Sequence, residues 1–217
     1  MPKKAGIAIV ILGAVLILSA LLLFFYNRQQ ADEAGQAAES LMSELESWMQ
    51  EQKTLPATEI TEESPALTVI EEAVPTESTQ NPEMPVVSIN GYAYVGYVEI
   101  PALELKLPVL SQWDYSRLQI APCRQLGSSR TDDLVIAAHN YPAHFGHLGE
   151  LSEGDAVVFT DMENIVNTYS VAKIETINPY DVGSVLNSAF DLVLYTCTTG
   201  GRSRVAVFCD RAAEENP

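Results

Sequence analysis

The sequence predicts an all-β folded domain between about residues 89 and 211, and three observations lead to this expectation. Short runs rich in β-branched and aromatic residues recur there at fairly regular spacing. Turn-forming residues separate the runs, among them Pro101, Gly127, Gly154 and the pair Gly200-Gly201. No long helical periodicity interrupts them. A region of about 125 residues suffices for one modest core, so a β-barrel or a β-sandwich is expected.

Seven runs qualify as strands on composition and length. They are YAYVGYVEI (92–100), LKLPVL (105–110), DLVIAAH (133–139), DAVVFTD (155–161), NTYSVAKIETI (167–177), DLVLYTC (191–197) and RVAVFCD (204–210). The segment AHFGHLGEL (143–151) is expected to form a helical turn between two of them.

The N-terminal residues 1–28 are predicted to form a signal-anchor transmembrane helix. Residues 5–26 contain no charged side chain, and 22 helical residues span about 33 Å, enough for a ~30 Å hydrocarbon core. Lys3 and Lys4 precede the segment, which favours a cytoplasmic N-terminus and an external folded domain. A cleaved signal peptide is the alternative, but its apolar region would be shorter, at ~7–15 residues.

Residues 29–88 are predicted to be an acidic juxtamembrane helix followed by a linker. Leu41, Leu45, Trp48 and Met49 form one apolar stripe at helical spacing. The stripe could pair with a second copy, lean on the membrane or dock on the folded domain, and a marginal helix without a partner is equally open. Residues 54–85 mix Pro, Thr, Ser and Glu, which is typical of an extended linker that holds the domain away from the bilayer.

Charge and cysteine content narrow the function classes. The chain has 217 residues with 12 basic and 29 acidic side chains, giving a formal charge of -17. Phosphate backbones would repel so acidic a chain, so nucleic acid is not an expected partner. Its three cysteines are Cys123, Cys197 and Cys209, an odd number that suggests one reactive thiol. Cys123 and Cys209 could form a disulfide or be two buried free thiols.

Three strand ends carry the side chains that indicate chemistry. Cys197 ends the run DLVLYTC among threonines, Arg204 opens the next run seven residues later, and His139 ends DLVIAAH. A thiol, a proton-transferring imidazole and a fixed guanidinium together suit acyl transfer through a thioester. Each residue also has a structural interpretation: an inert buried cysteine, a solvated arginine and a histidine that only packs.

Two further histidines, His144 and His147, follow His139 in the pattern His-x4-His-x2-His. A metal site made of the three is conceivable. No carboxylate cluster in the sequence supports it, so no metal or other cofactor is expected.

Taken together, these motifs resemble the sortases, the membrane-anchored cysteine transpeptidases of Gram-positive bacterial surfaces. The likeness covers about residues 94–211. YVGYVEIPALELKLPVL resembles the opening strands of the family, LVIAAHN the strand that ends in its catalytic histidine, and LGELSEGDAVVFTD its L-x-x-L-x-x-G-D stretch. LYTCT is similar to the Thr-Leu-x-Thr-Cys motif, and SRV to the arginine that opens the final strand.

The resemblance implies a fold and an activity for residues 89–217. The fold would be a closed β-barrel of about eight strands with short helices. Cys197 would attack a C-terminal LPxTG-like sorting signal and form a thioacyl enzyme, His139 would transfer protons, and Arg204 would position the substrate and stabilise the oxyanion. Thr196 and Thr198 are candidate substrate-binding residues. An amine of a cell-wall precursor or a pilin lysine would accept the acyl group, so that proteins become anchored at the cell surface.

Some features leave the subclass open. Ala138 stands where many members have glycine before the histidine, and Trp113-Asp114-Tyr115 only approximates an Asp-Pro-aromatic lid. Two other functions stay open from the residues: a surface cysteine protease that uses water as acceptor, and an inactive tethered β-barrel that binds or scaffolds.

Overall fold

The computed structural model of the chain describes residues 3–54, 82–181 and 183–213. Within these residues there are three α-helices and nine strands, with single 3₁₀ turns at Pro101–Leu103 and Leu148–Glu150. The helices are α1 (Lys3–Thr54), α2 (Tyr115–Leu118) and α3 (Gly183–Leu186). The strands are β1 (Val87–Ile89), β2 (Tyr92–Ile100), β3 (Leu105–Leu110), β4 (Cys123–Leu126), β5 (Leu134–Ala137), β6 (Ala156–Asp161), β7 (Val166–Ile177), β8 (Leu192–Cys197) and β9 (Arg204–Arg211).

The strands close into one barrel. Their order is β1-β2-β3-β4-β5-β8-β9-β7-β6, and β2 also pairs with β6. The eight strands β2 to β9 therefore return on themselves, whereas β1 only extends β2 as a hairpin partner. The prediction of a closed barrel of about eight strands with short helices is confirmed, and the sandwich alternative is excluded.

The closing strand β2 contains a glycine at its most crowded point. The register of the β2–β3 ladder shifts between Tyr94 and Gly96. Gly96 has φ +148°, and a Cβ there would lie 2.0 Å from the Thr160 carbonyl oxygen on β6. Only glycine lets β6 approach β2 this closely, so this residue permits closure.

All seven runs predicted as strands form strands, and the 3₁₀ turn at Leu148–Glu150 lies in the segment expected to be a helical turn. Two strands were missed. β1 has three residues and β4 has four, two of them the polar Arg124 and Gln125. Segments this short give no periodicity, and their pairing partners are distant in sequence.

Alternation along the strands separates two apolar clusters. Leu134 and Ile136 of β5, with Leu192 and Leu194 of β8, belong to the cluster inside the barrel. The residues between them face outward and belong to a second cluster, which also contains residues of α1. Among them are Val135, Ala137, Val193 and Tyr195.

Helix α1 covers this outer cluster. It runs without a break past residue 28, and its second half buries Leu41, Leu45 and Met49 against the barrel, with Trp48 partly buried. Lys106 of β3 forms a 2.9 Å ion pair with Glu46 of the helix. Of the roles open for the apolar stripe, the structure shows docking on the folded domain.

The first half of α1 does not pack on the barrel. Among the described residues, α1 is the one helix that is long and apolar enough to cross a membrane, judged by length and composition. Its large apolar side chains between Ile7 and Tyr26 are exposed.

The predicted linker falls mostly on residues 55–81, which lie outside the described residues. Beyond it, Met84 is buried in the inner cluster, and its sulfur accepts a hydrogen bond from the Ser129 hydroxyl at 3.3 Å. The chain is thus attached to the barrel on both sides of this segment, because α1 also docks there. The expectation that the linker holds the domain away from the bilayer stays a prediction.

The three cysteines are free. Cys123 lies in the outer cluster and Cys209 in the inner one, so the strand layer separates their side chains. Of the two possibilities that the sequence left open, the structure shows buried free thiols and no Cys123–Cys209 disulfide.

Candidate active site

The backbone register brings the three predicted catalytic residues to one level of the sheet. Strand β8 lies between β5 and β9. Cys197 pairs directly with Arg204 across β8 and β9. Ala137 is level with Tyr195 in the parallel β5–β8 ladder, so His139, two residues further on, is level with Cys197.

Beyond the end of β5, one backbone bond and one side-chain bond continue its attachment to β8. The Ala138 N–H donates to the Tyr195 carbonyl at 3.2 Å, and the Thr196 hydroxyl donates to the Ala138 carbonyl at 2.9 Å. Thr196 is buried, so this second bond is shielded from water. Thr196 therefore fixes the segment before His139 against the strand that ends in Cys197.

The side chains of the three residues leave the sheet on its outer side. Cys197 alternates in phase with Tyr195, and Arg204 with Ala206, both in the outer cluster. The His139 ring contacts Tyr115 of α2, a helix whose Leu118 also belongs to that cluster. Among the described residues no hydrogen bond joins the three side chains, and their proximity is set by the backbone.

The His139 ring packs against two tyrosine rings. Its ring centroid is 4.9 Å from that of Tyr141 and 6.4 Å from that of Tyr115. Its Nε2 is buried and has no hydrogen-bond partner among the described residues. Burial lowers the pKa of His139, so the imidazole is neutral near pH 7 and can accept a proton.

Cys197 differs from the other two cysteines in exposure. It is partly exposed at the end of β8, whereas Cys123 and Cys209 are fully buried. Burial raises the pKa of each of those two thiols to about 12, which keeps them protonated. Cys197 is therefore the cysteine available for chemistry.

Arg204 is held by the loop that joins β8 to β9. Its Nη1 donates to the carbonyls of Gly201 at 3.1 Å and Ser203 at 3.0 Å. The loop is closed by the Thr198 N–H, which donates to the Ser203 carbonyl at 3.0 Å. Gly200 and Gly201 both have positive φ there, as the turn requires.

A cavity of about 250 Å³ lies beside the thiol, lined by Thr196, Cys197, Thr198, Asn140 and Glu150 among others. The Thr198 hydroxyl is already engaged with the Ser203 carbonyl at 3.2 Å, as that of Thr196 is with Ala138. The contribution of these two threonines to substrate binding stays a prediction. Their observed bonds shape the loop and the strand ends.

The other two histidines have different surroundings. His144 is fully buried and its Nε2 lies 3.4 Å from the Ala34 carbonyl of α1. His147 is exposed, and its Nδ1 lies 2.6 Å from a Glu150 carboxylate oxygen. No group of three or more His, Cys, Asp or Glu side chains in the described part of the chain is placed to hold a metal ion.

Sequence reasoning missed the aromatic neighbours of His139. Tyr141 lies two residues after it, and Tyr115 belongs to the segment that only approximates a lid. The Asp114 carboxylate accepts the Arg117 N–H at 2.8 Å and so caps the one-turn helix that carries Tyr115. An N-cap aspartate followed by an aromatic residue is the available signal, but it does not reveal which side chain the ring meets.

Comparison with known proteins agrees with this geometry. A family model described as the sortase domain matches residues 98–212, more than half of the chain. Comparison with curated proteins gives no significant match.

Solved structures of sortases have a fold similar to that of this chain. Sortase C of Streptococcus pneumoniae is 27% identical, with a TM-score of 0.50, over 57% of this chain and 71% of that one. Sortase C1 of Streptococcus agalactiae is 27% identical, with a TM-score of 0.51, over 59% and 72%. Sortase A of Corynebacterium diphtheriae, at 20% identity and a TM-score of 0.52, shows the fold alone, over 58% of this chain. This chain spans 64% of that protein's length.

The matched region contains the last three residues of β2 and all of strands β3 to β9, and with them His139, Cys197 and Arg204. Because the sortase domain model matches more than half of the chain, the chain belongs to the sortase family.

Proposed function

We propose that this chain is a sortase-type cysteine transpeptidase that cleaves a C-terminal LPxTG-like sorting signal and transfers the acyl group to an amine. The main support is the alignment of His139, Cys197 and Arg204 at one level of adjacent strands, on one side of the sheet. The family assignment supports the same reaction class, because its members are cysteine transpeptidases.

The first half-reaction forms the thioacyl enzyme. Cys197 passes its thiol proton to neutral His139, and the thiolate attacks the carbonyl carbon at the threonine of the signal. The new C–S bond replaces the C–N bond, and the departing amine takes the proton from the His139 imidazolium. Arg204 donates to the developing oxyanion or to a substrate carbonyl.

The second half-reaction transfers the acyl group. An incoming amine attacks the thioester carbon and gives a proton to His139, and the C–S bond breaks to release Cys197 as a thiolate. The acceptor is a cell-wall precursor or a pilin lysine. Sortase C of Streptococcus pneumoniae, a structural neighbour, has been described in terms of pilin substrate specificity.

The apolar first half of α1 supports a location in the cell membrane. This half anchors the protein there as a single span, with Lys3 and Lys4 on the cytoplasmic side. The barrel then lies outside the cell, where sorting signals and cell-wall precursors meet it.

The test uses the full chain in detergent micelles, because α1 is packed on the barrel. Intact mass is measured after mixing with peptides carrying LPxTG-like variants, with and without an added amine. We expect a thioacyl adduct on the wild type and none on Cys197→Ala. With the amine present, an amide product should replace the hydrolysed peptide.

Two matched variants probe Arg204. Arg204→Ala should slow adduct formation roughly hundredfold, as removal of an oxyanion donor does in other acyl-transfer enzymes. Arg202→Ala removes an exposed arginine of the same loop and should leave the rate unchanged. Hydrolysis without any amide product would instead favour a cysteine protease. No adduct and no product with any peptide would favour a binding or scaffolding barrel.

A further inference from the structure

We propose that His144 is a positioning residue, through which the docked half of α1 holds the loop that carries His139. The inference rests on the proposed role of His139 in proton transfer. It adds that the anchor helix is a working part of the catalytic centre, beyond its role as a membrane tether.

The first link joins the helix to the loop. The His144 Nε2 lies 3.4 Å from the Ala34 carbonyl oxygen of α1, 110 residues away in sequence. A carbonyl can only accept, so Nε2 carries the proton and donates it. Both partners are buried, and a buried N–H that lost this acceptor would be left without compensation.

The second link is the tight loop between His139 and Gly146. The Phe145 N–H donates to the His139 carbonyl at 3.2 Å, and the N–H groups of His144 and Gly146 both donate to the Tyr141 carbonyl at 2.9 Å. A Cβ at Gly146 would lie 2.7 Å from that carbonyl oxygen. A shift of His144 therefore moves the backbone on which His139 is placed.

The third link is a series of rings. The Tyr141 ring centroid lies 5.6 Å from that of His144 and 4.9 Å from that of His139. Tyr141 thus contacts both imidazole rings. The orientation of the catalytic ring depends on a tyrosine whose other neighbour is bound to the helix.

Small residues of α1 allow the helix to approach the His139–Gly146 loop closely. Ala34 and Ala38 are buried, and a Cβ at Gly35 would lie 2.9 Å from the Ala143 Cβ. Small residues at these positions let the α1 backbone lie directly against the loop. A larger side chain at Gly35 would push the helix away from Ala143 and so from His144.

The experiment perturbs the contact from each side in the full chain in detergent micelles. His144→Phe keeps an aromatic ring without a donor, and His144→Gln supplies an amide N–H that can again reach the Ala34 carbonyl. Gly35→Leu forces the helix from the loop. Gly13→Leu is the matched control, because nothing lies within 4 Å of a Cβ at that glycine of the same helix.

The primary readout does not need turnover. With histidine ¹³C-labelled at Cε1, the wild type gives three imidazole signals, one for each histidine, and the His144 variants give two. We expect the His139 signal and its titration midpoint to shift in His144→Phe and Gly35→Leu. In Gly13→Leu, the His139 signal and its titration midpoint should be the same as in wild type. In His144→Gln, they should be closer to the wild-type values than in His144→Phe.

Kinetics supply the second readout. We expect kcat with a sorting-signal peptide to fall roughly tenfold to hundredfold in His144→Phe and Gly35→Leu, with KM little changed, since a misplaced catalytic group costs about this much. Circular dichroism checks that each variant is folded.

An unchanged His139 signal in a folded Gly35→Leu or His144→Phe protein would overturn the positioning role. If wild type forms no thioacyl adduct at all, the proposed function fails, and the His139 signal still decides whether α1 positions the imidazole.

Discussion

At the scale of single residues, exposure decides which cysteine can react. Cys123 and Cys209 are enclosed on opposite sides of the strand layer, whereas Cys197 ends β8 at the surface. The pKa of each buried thiol is raised by burial to about 12, so neither supplies a thiolate near neutral pH.

We therefore predict selective alkylation of the folded protein. Iodoacetamide near pH 7.5, a value set about one unit below the ordinary thiol pKa, should add one carbamidomethyl group to the wild type and none to Cys197→Ala. Mass spectrometry counts the adducts, and denatured wild type should take up three because all cysteines are then exposed. A second adduct on the folded wild type would contradict the assigned burial.

His144 is the other residue whose environment has a measurable consequence. Burial lowers its pKa to about 4, against an ordinary value of about 6.5, and outweighs the raising effect of the Ala34 carbonyl. The unfolded chain thus binds a proton at this site at a higher pH than the folded chain does. Stability from neutral His144 is fully present above about pH 6.5 and is lost as the pH falls towards 4.

We predict that this loss amounts to about 3 kcal/mol of unfolding free energy between pH 6.5 and 4. Denaturant unfolding of the full chain, followed across this range, measures it. His144→Gln, which does not titrate, is the control and should show a shallower decline, with the difference attributable to residue 144. Equal slopes for the two proteins would show that His144 is protonated in the folded state at higher pH.

At the scale of elements, closure of the barrel depends on β2, which pairs with β1, β3 and β6. A strand with partners on both edges has little room for a local irregularity. The register shift between Tyr94 and Gly96 directly precedes the close approach of Thr160 to Gly96, so the crowding is concentrated at one glycine.

We predict that Gly96→Ala lowers the unfolding free energy by about 3–5 kcal/mol, because the new methyl group meets backbone that cannot move without opening the β2–β6 ladder. Gly91→Ala is the matched control. Gly91 also has positive φ, +89°, but nothing lies within 4 Å of a Cβ there.

The unfolding free energy of the Gly91→Ala control should therefore fall by only about 1–2 kcal/mol, from backbone strain alone. Denaturant unfolding in micelles measures both variants. Similar losses would mean that strain, and not the contact with β6, governs the position.

At the scale of the whole molecule, α1 connects the apolar segment to the loop that carries His139. Ala34, which accepts from His144, follows Tyr26 by eight residues, a rise of about 12 Å along a helix. The end of the apolar segment and the active-site loop are thus close together. Under the proposed function, a sorting signal held in a membrane would reach the His139 loop close to the end of the apolar segment.

Much of the fold and of the candidate site can be predicted from the sequence. Alternating apolar residues and turn signals located the seven longer strands, because side chains of a barrel strand must alternate between core and exterior. The charge-free N-terminal run identified the candidate span. The residue types at three strand ends, together with the motifs around them, identified the family and singled out His139, Cys197 and Arg204.

Features that depend on partners distant in the chain can be seen only in the three-dimensional structure. β1 and β4 are too short to give a pattern, and they exist because β2 and β5 offer them ladders. The docking of the stripe on the barrel, the Ala34–His144 contact and the placement of Tyr115 beside His139 link segments that are far apart in the sequence. Periodicity shows which face of a segment is apolar, but packing geometry determines what that face meets.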